Sequence, residues 1–416
     1  MNASKLISLL ALFTLVAFAM AGSRDPNAAP ITEETKDAIQ PRYLELLKKI
    51  VEINSKTENL EGQDKVRQAL IPEFRKLGFE SKLIALKEGH KLLYFEFPNS
   101  QPDLLLVGHS DTVFTEKEGF GNLTIEPGMV KGPGVIDMKG GLVLLLNALT
   151  DIKDPQLLKR IRIMINDDEE VGSTYSRARM DELAQSMNAA LIFEPGLDDG
   201  ALVTEESGLH WLTLRVDGKE AHSGKEPENG INACIELAHK LIQVYQLNNF
   251  KQHLTVSVGQ LSGGSATNKV CGHAKAEIDI RYKDPKDLDQ TLQRIDSIDH
   301  DSWVKNIKTG KRETTTAERP ATNEVPPLEK QSSSGLFESA KAAGSAIGQD
   351  VTGRWVGYGS DGNHLAKTGI KVLVGLGPYG SGMHTHEEQM IEHSYSERLK
   401  LATGLISKIL IDSQHQ

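Results

Sequence analysis

The stretch LLLVGHSDTV, residues 104–113, decides how the chain is read. Its first four residues are apolar without alternation. A strand covered on both faces has this pattern, and such strands belong to parallel sheets flanked by helices. The run passes directly into Gly108, His109, Ser110 and Asp111. In an open α/β sheet, sites form beyond the carboxyl ends of the strands. An imidazole and a carboxylate at such an end therefore mark candidate chemistry.

Outward from this strand, residues 83–86, 92–97, 161–165, 190–193 and 371–376 read as further strands. Residues 31–55, 64–77, 140–149, 334–347 and 394–411 carry helical apolar spacing. Alternating strands and helices predict an α/β layered domain. The texture changes after Glu206. Residues 211–216, 254–258 and 274–281 alternate apolar with polar, which predicts an antiparallel sheet with one wet face. Segments 230–246 and 285–298 are the helices expected to cover its other face. Residues 306–334 are polar and contain Pro320, Pro326 and Pro327, and they read as linker. The expected organisation is an α/β domain at 22–206 and 321–416, interrupted by an α+β domain at 207–320.

Residues 1–21 read as a secretory signal. Lys5 lies before an apolar segment at 6–18, and Ala19-Met20-Ala21 fits the cleavage rule. About 14 apolar residues are short for a membrane span, which needs about 20. The mature chain is expected to begin at Gly22, without a membrane anchor, in the periplasm or secreted. The 416 residues suit two or three domains. With 39% apolar and 25% charged residues, disorder is excluded as a description of the whole. The 57 acidic against 47 basic side chains, net charge −10, speak against a broadly cationic nucleic-acid surface. Two cysteines, Cys234 and Cys271, are too few for a thiolate metal site. They are compatible with an oxidising compartment without demanding a bridge.

Other strand ends also carry ligand-type residues. Gly132-Pro-Gly134 leads to Asp137 at a helix start. Strand 161–165 ends in Asn166-Asp167-Asp168-Glu169-Glu170, and strand 190–193 leads to Glu194. Strand 371–376 leads to Met383, His384, Thr385 and His386. A run of acids is ordinarily a solvated loop. At a sheet end, however, packed like charges repel unless a cation sits among them. Imidazoles and carboxylates without thiolate suit zinc or another divalent first-row ion. Five such ligands suit two metals about 3.5–4 Å apart sharing one carboxylate. A further Glu beside them implies hydrolysis.

At this point the sequence resembles the dinuclear zinc carboxypeptidase and aminoacylase family, carboxypeptidase G type. The motifs are GHSDTV (108–113), GPGVIDMKGG (132–141), DDEEVGS (167–173), FEPG (193–196), EAHSG (220–224), DIRY (279–282) and MHTHEE (383–388). They occur in order and extend from about residue 40 to the C-terminus. The resemblance implies a zinc-peptidase catalytic domain, a mixed sheet flanked by helices, with an inserted α+β lid and dimerisation domain.

It also implies roles. His109 and Glu194 would hold one zinc, Glu170 and His384 the other, and Asp137 would bridge them. Asp111 would orient His109, and Glu169 would be the general base. His384 and His386 compete for the last ligand place, and the family's acid four residues after the His selects His384 with Glu388. Glu at position 194, rather than Asp, is associated in the family with carboxypeptidases and acylamino-acid hydrolases. His222, from a partner subunit, would stabilise the tetrahedral oxyanion and contact substrate. Arg281 would grip a substrate carboxylate, and Asn268 would contact substrate. Residues 360–362 resemble the family's substrate-side loop, and its cis peptide would fall at Asp137–Met138. The chain departs from the family pattern near Asn268, at Cys271.

The implied activity is release of a C-terminal amino acid, glutamate first, from N-acyl or peptidyl substrates with a free carboxylate. The implied assembly is a homodimer through the lid. An N-acyl-amino-acid deacylase or dipeptidase is the alternative within the same chemistry. An exported, non-catalytic metal- or solute-binding protein is the alternative from another class, and the presence of Glu169 speaks against it.

Overall fold

The computed structural model describes residues 39–413 apart from 301, 313–314 and 319–323. The signal expected at 1–21 and the first part of the helix expected at 31–55 lie outside the described residues. A six-stranded mixed sheet is the centre of the molecule. Its order is Glu80–Ala85, Lys91–Glu96, Ile161–Asn166, Leu104–His109, Ala189–Ile192 and Lys371–Leu373. Lys91–Glu96 alone runs antiparallel to the rest, since it pairs antiparallel with both of its neighbours. Leu104–His109 is parallel to both its neighbours, so three chain segments leave the sheet at the same end.

The apolar run of this strand is explained by its two covered faces. Leu104 and Leu106 pack into one apolar cluster with the helices Pro41–Val51, Lys139–Asp151, Lys330–Ala346 and Glu392–Asp412. Leu105 and Val107 pack into a second, with the helices Arg177–Ala184 and Asp361–Lys367. Side chains alternate faces along a strand, so both sets must be apolar. Truncating one of these leucines to Ala costs about 2–5 kcal/mol.

The chain leaves this layer at Glu206 and re-enters at Leu328, where the two residues exchange backbone hydrogen bonds of 3.1 and 3.2 Å. Between them lies an antiparallel sheet ordered Thr255–Gly263, His273–Tyr282, Gly208–Asp217 and Thr315–Glu318. Leu212, Leu214 and Val216 face the helices Ala233–Tyr245 and Pro285–His300 in a separate apolar cluster. Leu209 and Trp211 alternate with them toward the uncovered face.

Two expectations are corrected. Residues 306–334 are not linker throughout, because Thr315–Glu318 and Glu324–Val325 both pair with Gly208–Asp217. The edge of that strand offers hydrogen-bond partners that a polar, proline-punctuated sequence does not announce. The helix expected at 334 starts at Lys330. A small sheet of Thr124–Glu126, Met129–Lys131, Gln389–Ile391 and Gly380–Ser381 also carries too few residues per strand for a periodic signal. Among the described residues, no helix is long and apolar enough to cross a membrane.

Candidate active site

His109 closes its strand in register with Asn166 at the end of the parallel neighbour. Two residues later Asp111 folds back beneath the imidazole, its Oδ1 3.2 Å from His109 Nδ1. Nε2 therefore faces inward, 3.1 Å from Asp137 and 3.4 Å from Glu194. Asp111 is fully buried and accepts three more hydrogen bonds: Thr57 Oγ1 at 2.9 Å, Glu169 N at 3.2 Å and Glu170 N at 3.1 Å. One carboxylate thus orients the imidazole and the turn that carries Glu169 and Glu170.

The acidic run 167–170 divides by role. Asp167 points away from the cluster and accepts from Arg67 Nη1 at 2.8 Å and Lys91 N at 3.0 Å, with His90 Nδ1 at 3.1 Å. Asp168 accepts the backbone N–H groups of Tyr175 and Ser176. These two acids fix the loop. Glu169 and Glu170 line the cleft.

Asp137 sits on a tight turn after Gly134. Gly134 has φ +76°, and a Cβ there would stand 2.8 Å from Thr112 Cγ2. The buried Glu388 carboxylate accepts from Gly134 N, Ile136 N and Asp137 N at 3.1, 2.9 and 3.2 Å. The Asp137–Met138 peptide is cis. His384 is a non-glycine residue at φ 62°, a costly backbone conformation that concentrates at functional sites. Its Nε2 lies 2.9 Å from Asp137 Oδ2 and 3.1 Å from Glu170 Oε2. His386 points elsewhere, 3.6 Å from Glu118 and stacked on Phe120. Of the two competing histidines, His384 is the one that reaches the cluster.

Two groups of three converge, His109 with Asp137 and Glu194, and Asp137 with Glu170 and His384. Asp137 belongs to both. Burial raises Glu169, with Glu194 adding to the effect. Burial and the nearby Asp137 push Glu170 up to about 8. Burial likewise raises Glu194. Burial also acts to raise Asp137, but hydrogen bonds from His109 and His384 outweigh it and hold that carboxyl well below the usual range. His384 is pushed up to about 10 by its hydrogen bonds to Asp137 and Glu170. Burial thus works against charge on three of these carboxyls, and only Asp137, between two imidazoles, is lowered. Glu170 Oε1 is buried without a hydrogen-bond partner. Two imidazoles and three carboxylates with such an orphaned oxygen fit divalent metal.

A model of peptidase family M20/M25/M40 matches residues 105–408. The chain belongs to this family. Carboxypeptidase G2 of Pseudomonas sp. (strain RS-16) is 28% identical over 382 residues, covering 88% of this chain and 89% of that protein. An acetylornithine deacetylase of Photorhabdus laumondii is 29% identical over 273 residues, covering 58% of this chain and 67% of its own. Among solved structures, aminopeptidase PepT of Bacillus cereus superposes with a TM-score of 0.71 at 21% identity, over 89% of this chain and 99% of that one. The fold is that of M20 metallopeptidases, and the protein is a metal-dependent hydrolase of that family.

The remaining candidates lie on the antiparallel sheet and its extensions. Arg281 lines the same cleft as Glu169, Glu170 and His384. Its Nε donates to both oxygens of Asp279 at 3.0 Å. His222 and Asn268 do not line this cleft. They lie side by side on a ribbon beyond the sheet, where His222 bridges Lys269 and Ser223 N donates to Asn268 O at 3.0 Å. His222 is exposed, its Nδ1 accepting from Gly224 N and Lys225 N. A disulfide joins Cys271, at the base of this ribbon, to Cys234 in the helix Ala233–Tyr245.

Sequence reasoning missed several supporting residues. Thr57 on Asp111, and Arg67 and His90 on Asp167, are ordinary residues of an N-terminal segment that only folding brings near. Asp361 was noted only as part of a loop. It accepts from Asn166 Nδ2 at 3.0 Å and from the Ser173 hydroxyl, and so braces both ends of the loop that carries Glu169.

Proposed function

We propose that this protein is an exported dizinc amide hydrolase that releases the C-terminal amino acid from N-acyl or peptidyl substrates. The observation that carries the reading is the pair of three-residue groups sharing Asp137, beside Glu169, in a cleft that also holds Arg281. His109, Asp137 and Glu194 would hold one ion, and Asp137, Glu170 and His384 the other. When bound, the zinc ions would lower the pKa of the attacking water and polarise the scissile carbonyl.

The chain's own residues do the rest. Asp111 holds His109 with Nε2 inward and fixes the turn bearing Glu169. Glu169 takes a proton from the attacking water and passes it to the leaving amide nitrogen. Arg281 pairs with the substrate carboxylate. His222 of a second copy donates to the tetrahedral oxyanion, with Asn268 beside it on the substrate. Exposed Ile235, Ile242 and Tyr245 on one lid helix, and Leu261 on the edge strand Thr255–Gly263, support a homodimer through the lid. Residues 1–21 and the Cys234–Cys271 bridge support export to an oxidising compartment. The expectation of glutamate rests on the likeness to carboxypeptidase G alone and is not part of this reading.

The test is Glu169→Gln in the zinc-loaded chain. Turnover of N-acyl amino acids is expected to fall about 10²–10⁴-fold while two zincs per chain are retained by elemental analysis. Unchanged turnover would remove Glu169 from the mechanism. Light scattering should give a dimer mass that Ile242→Lys lowers. A monomer mass for the parent chain at micromolar concentration would end the dimer reading. The mass of the protein recovered from outside the cytoplasm should start at Gly22.

A further inference from the structure

Resting on the reading just given, we infer that the cleft selects an amino acid with an uncharged, apolar or aromatic side chain rather than glutamate, and that Trp211 determines this specificity. The cleft has a volume of about 320 Å³, room for an N-acyl amino acid. Arg281 is the one Lys or Arg among the described residues lining it. Its hydrogen bonds to Asp279 run through Nε, which leaves the Nη edge for a carboxylate. One guanidinium serves the one carboxylate that every C-terminal amino acid carries. Glutamate brings a second.

Apart from Asp279, the wall beside Arg281 is apolar. Leu209 is its register partner on the adjacent strand, and Trp211 is two residues further along on the same uncovered face. Trp211 is 44% exposed, an indole held open to the cleft instead of packed. Val325, Tyr358 and Met383 complete this wall. His384 is taken up as a metal ligand in the reading just given, and the other charges lining the cleft are acids, Asp361 among them. His364 supplies no cation, because burial pushes it down to about 3. A glutamate side chain would lose its water there and meet like charge without a partner. A leucine or phenylalanine side chain would replace water against the indole.

The test uses the full zinc-loaded chain with N-acetyl-L-phenylalanine, N-acetyl-L-leucine and N-acetyl-L-glutamate. The expected kcat/KM favours the phenylalanine substrate over the glutamate one by about tenfold or more. Trp211→Ala should remove about tenfold from the phenylalanine value and leave the glutamate value within about twofold, and Trp211→Phe should restore most of the loss. Equal or better turnover of N-acetyl-L-glutamate overturns the inference, as does an equal loss for both substrates in Trp211→Ala. Calorimetric binding of the same compounds to Glu169→Gln separates this from the catalytic reading. Tighter binding of N-acetyl-L-phenylalanine without turnover by the parent chain supports the inference and removes the hydrolytic function. Tighter or equal binding of N-acetyl-L-glutamate, or binding of neither, overturns it.

Discussion

The parallel strand ends and the lid ribbon hold their candidate residues in opposite ways. At the strand ends, Asp111 and Glu388 are fully buried, Asp111 tying Thr57 and the Glu169–Glu170 turn together and Glu388 pinning the turn at 134–137. On the ribbon, His222 is exposed, its imidazole accepts only backbone N–H groups two and three residues on, and a disulfide closes the base. The first arrangement is preorganised by the core, as electrostatic chemistry requires. The second depends on a covalent tie. The difference teaches that charge-bearing chemistry is built where water is excluded, while an exposed ribbon is held by a local covalent tie.

The largest expected effect lies at the strand ends. Asp111→Asn places an amide against the N–H groups of Glu169 and Glu170 and loosens His109. Metal affinity should fall about 10–100-fold in chelator competition, with a larger loss in kcat. A variant with parental metal affinity would break the view that this carboxylate organises the cluster. The middle effect concerns the ribbon. The bridge closes a loop between residues 37 apart. The double variant Cys234→Ser, Cys271→Ser should lose about 2–4 kcal/mol by denaturant titration, with a several-fold fall in kcat/KM and unchanged metal content. Loss of metal would show that the two regions are not separable in this way.

The smallest effect on turnover belongs to the junction between the regions. Glu206 is fully buried, hydrogen-bonded to Ser360 Oγ at 3.0 Å, and burial pushes it up to about 8. A folded-state pKa above the unfolded value means that protonation favours the fold. The stability it contributes is therefore complete below about pH 4.5 and is lost as pH rises through about 8. Glu206→Gln removes that slope, so the variant should gain stability relative to the parent between pH 5 and pH 9, on the order of a few kcal/mol. Parallel stability profiles for the two proteins would show that Glu206 does not titrate with folding.

Much of the architecture was legible because burial writes itself into composition. The run at 104–107 had to be apolar on both faces, and 274–281 had to alternate, because one sheet is covered twice and the other once. The strands at 315–318 and 324–325 were not legible, since their partners are supplied by an existing edge and not by their own side chains. The acid run at 167–170 stood out as ligand-type, but its division did not. Which acids turn inward depends on Arg67, His90 and Asp111, all distant in sequence.

The sequence by itself determined the doubly covered α/β sheet, the change of texture after Glu206, the order of the motifs and the residue types that could hold metal. These follow from local periodicity and from the chemistry of side chains, which need no partner to be read. Only the tertiary structure decided that His386 turns to Glu118 and Phe120, that Glu388 pins the Asp137 turn, and that Trp211 stands beside Arg281 in one cleft. Those choices depend on distances between segments far apart in the chain, and a distance of that kind exists only once the layers have packed.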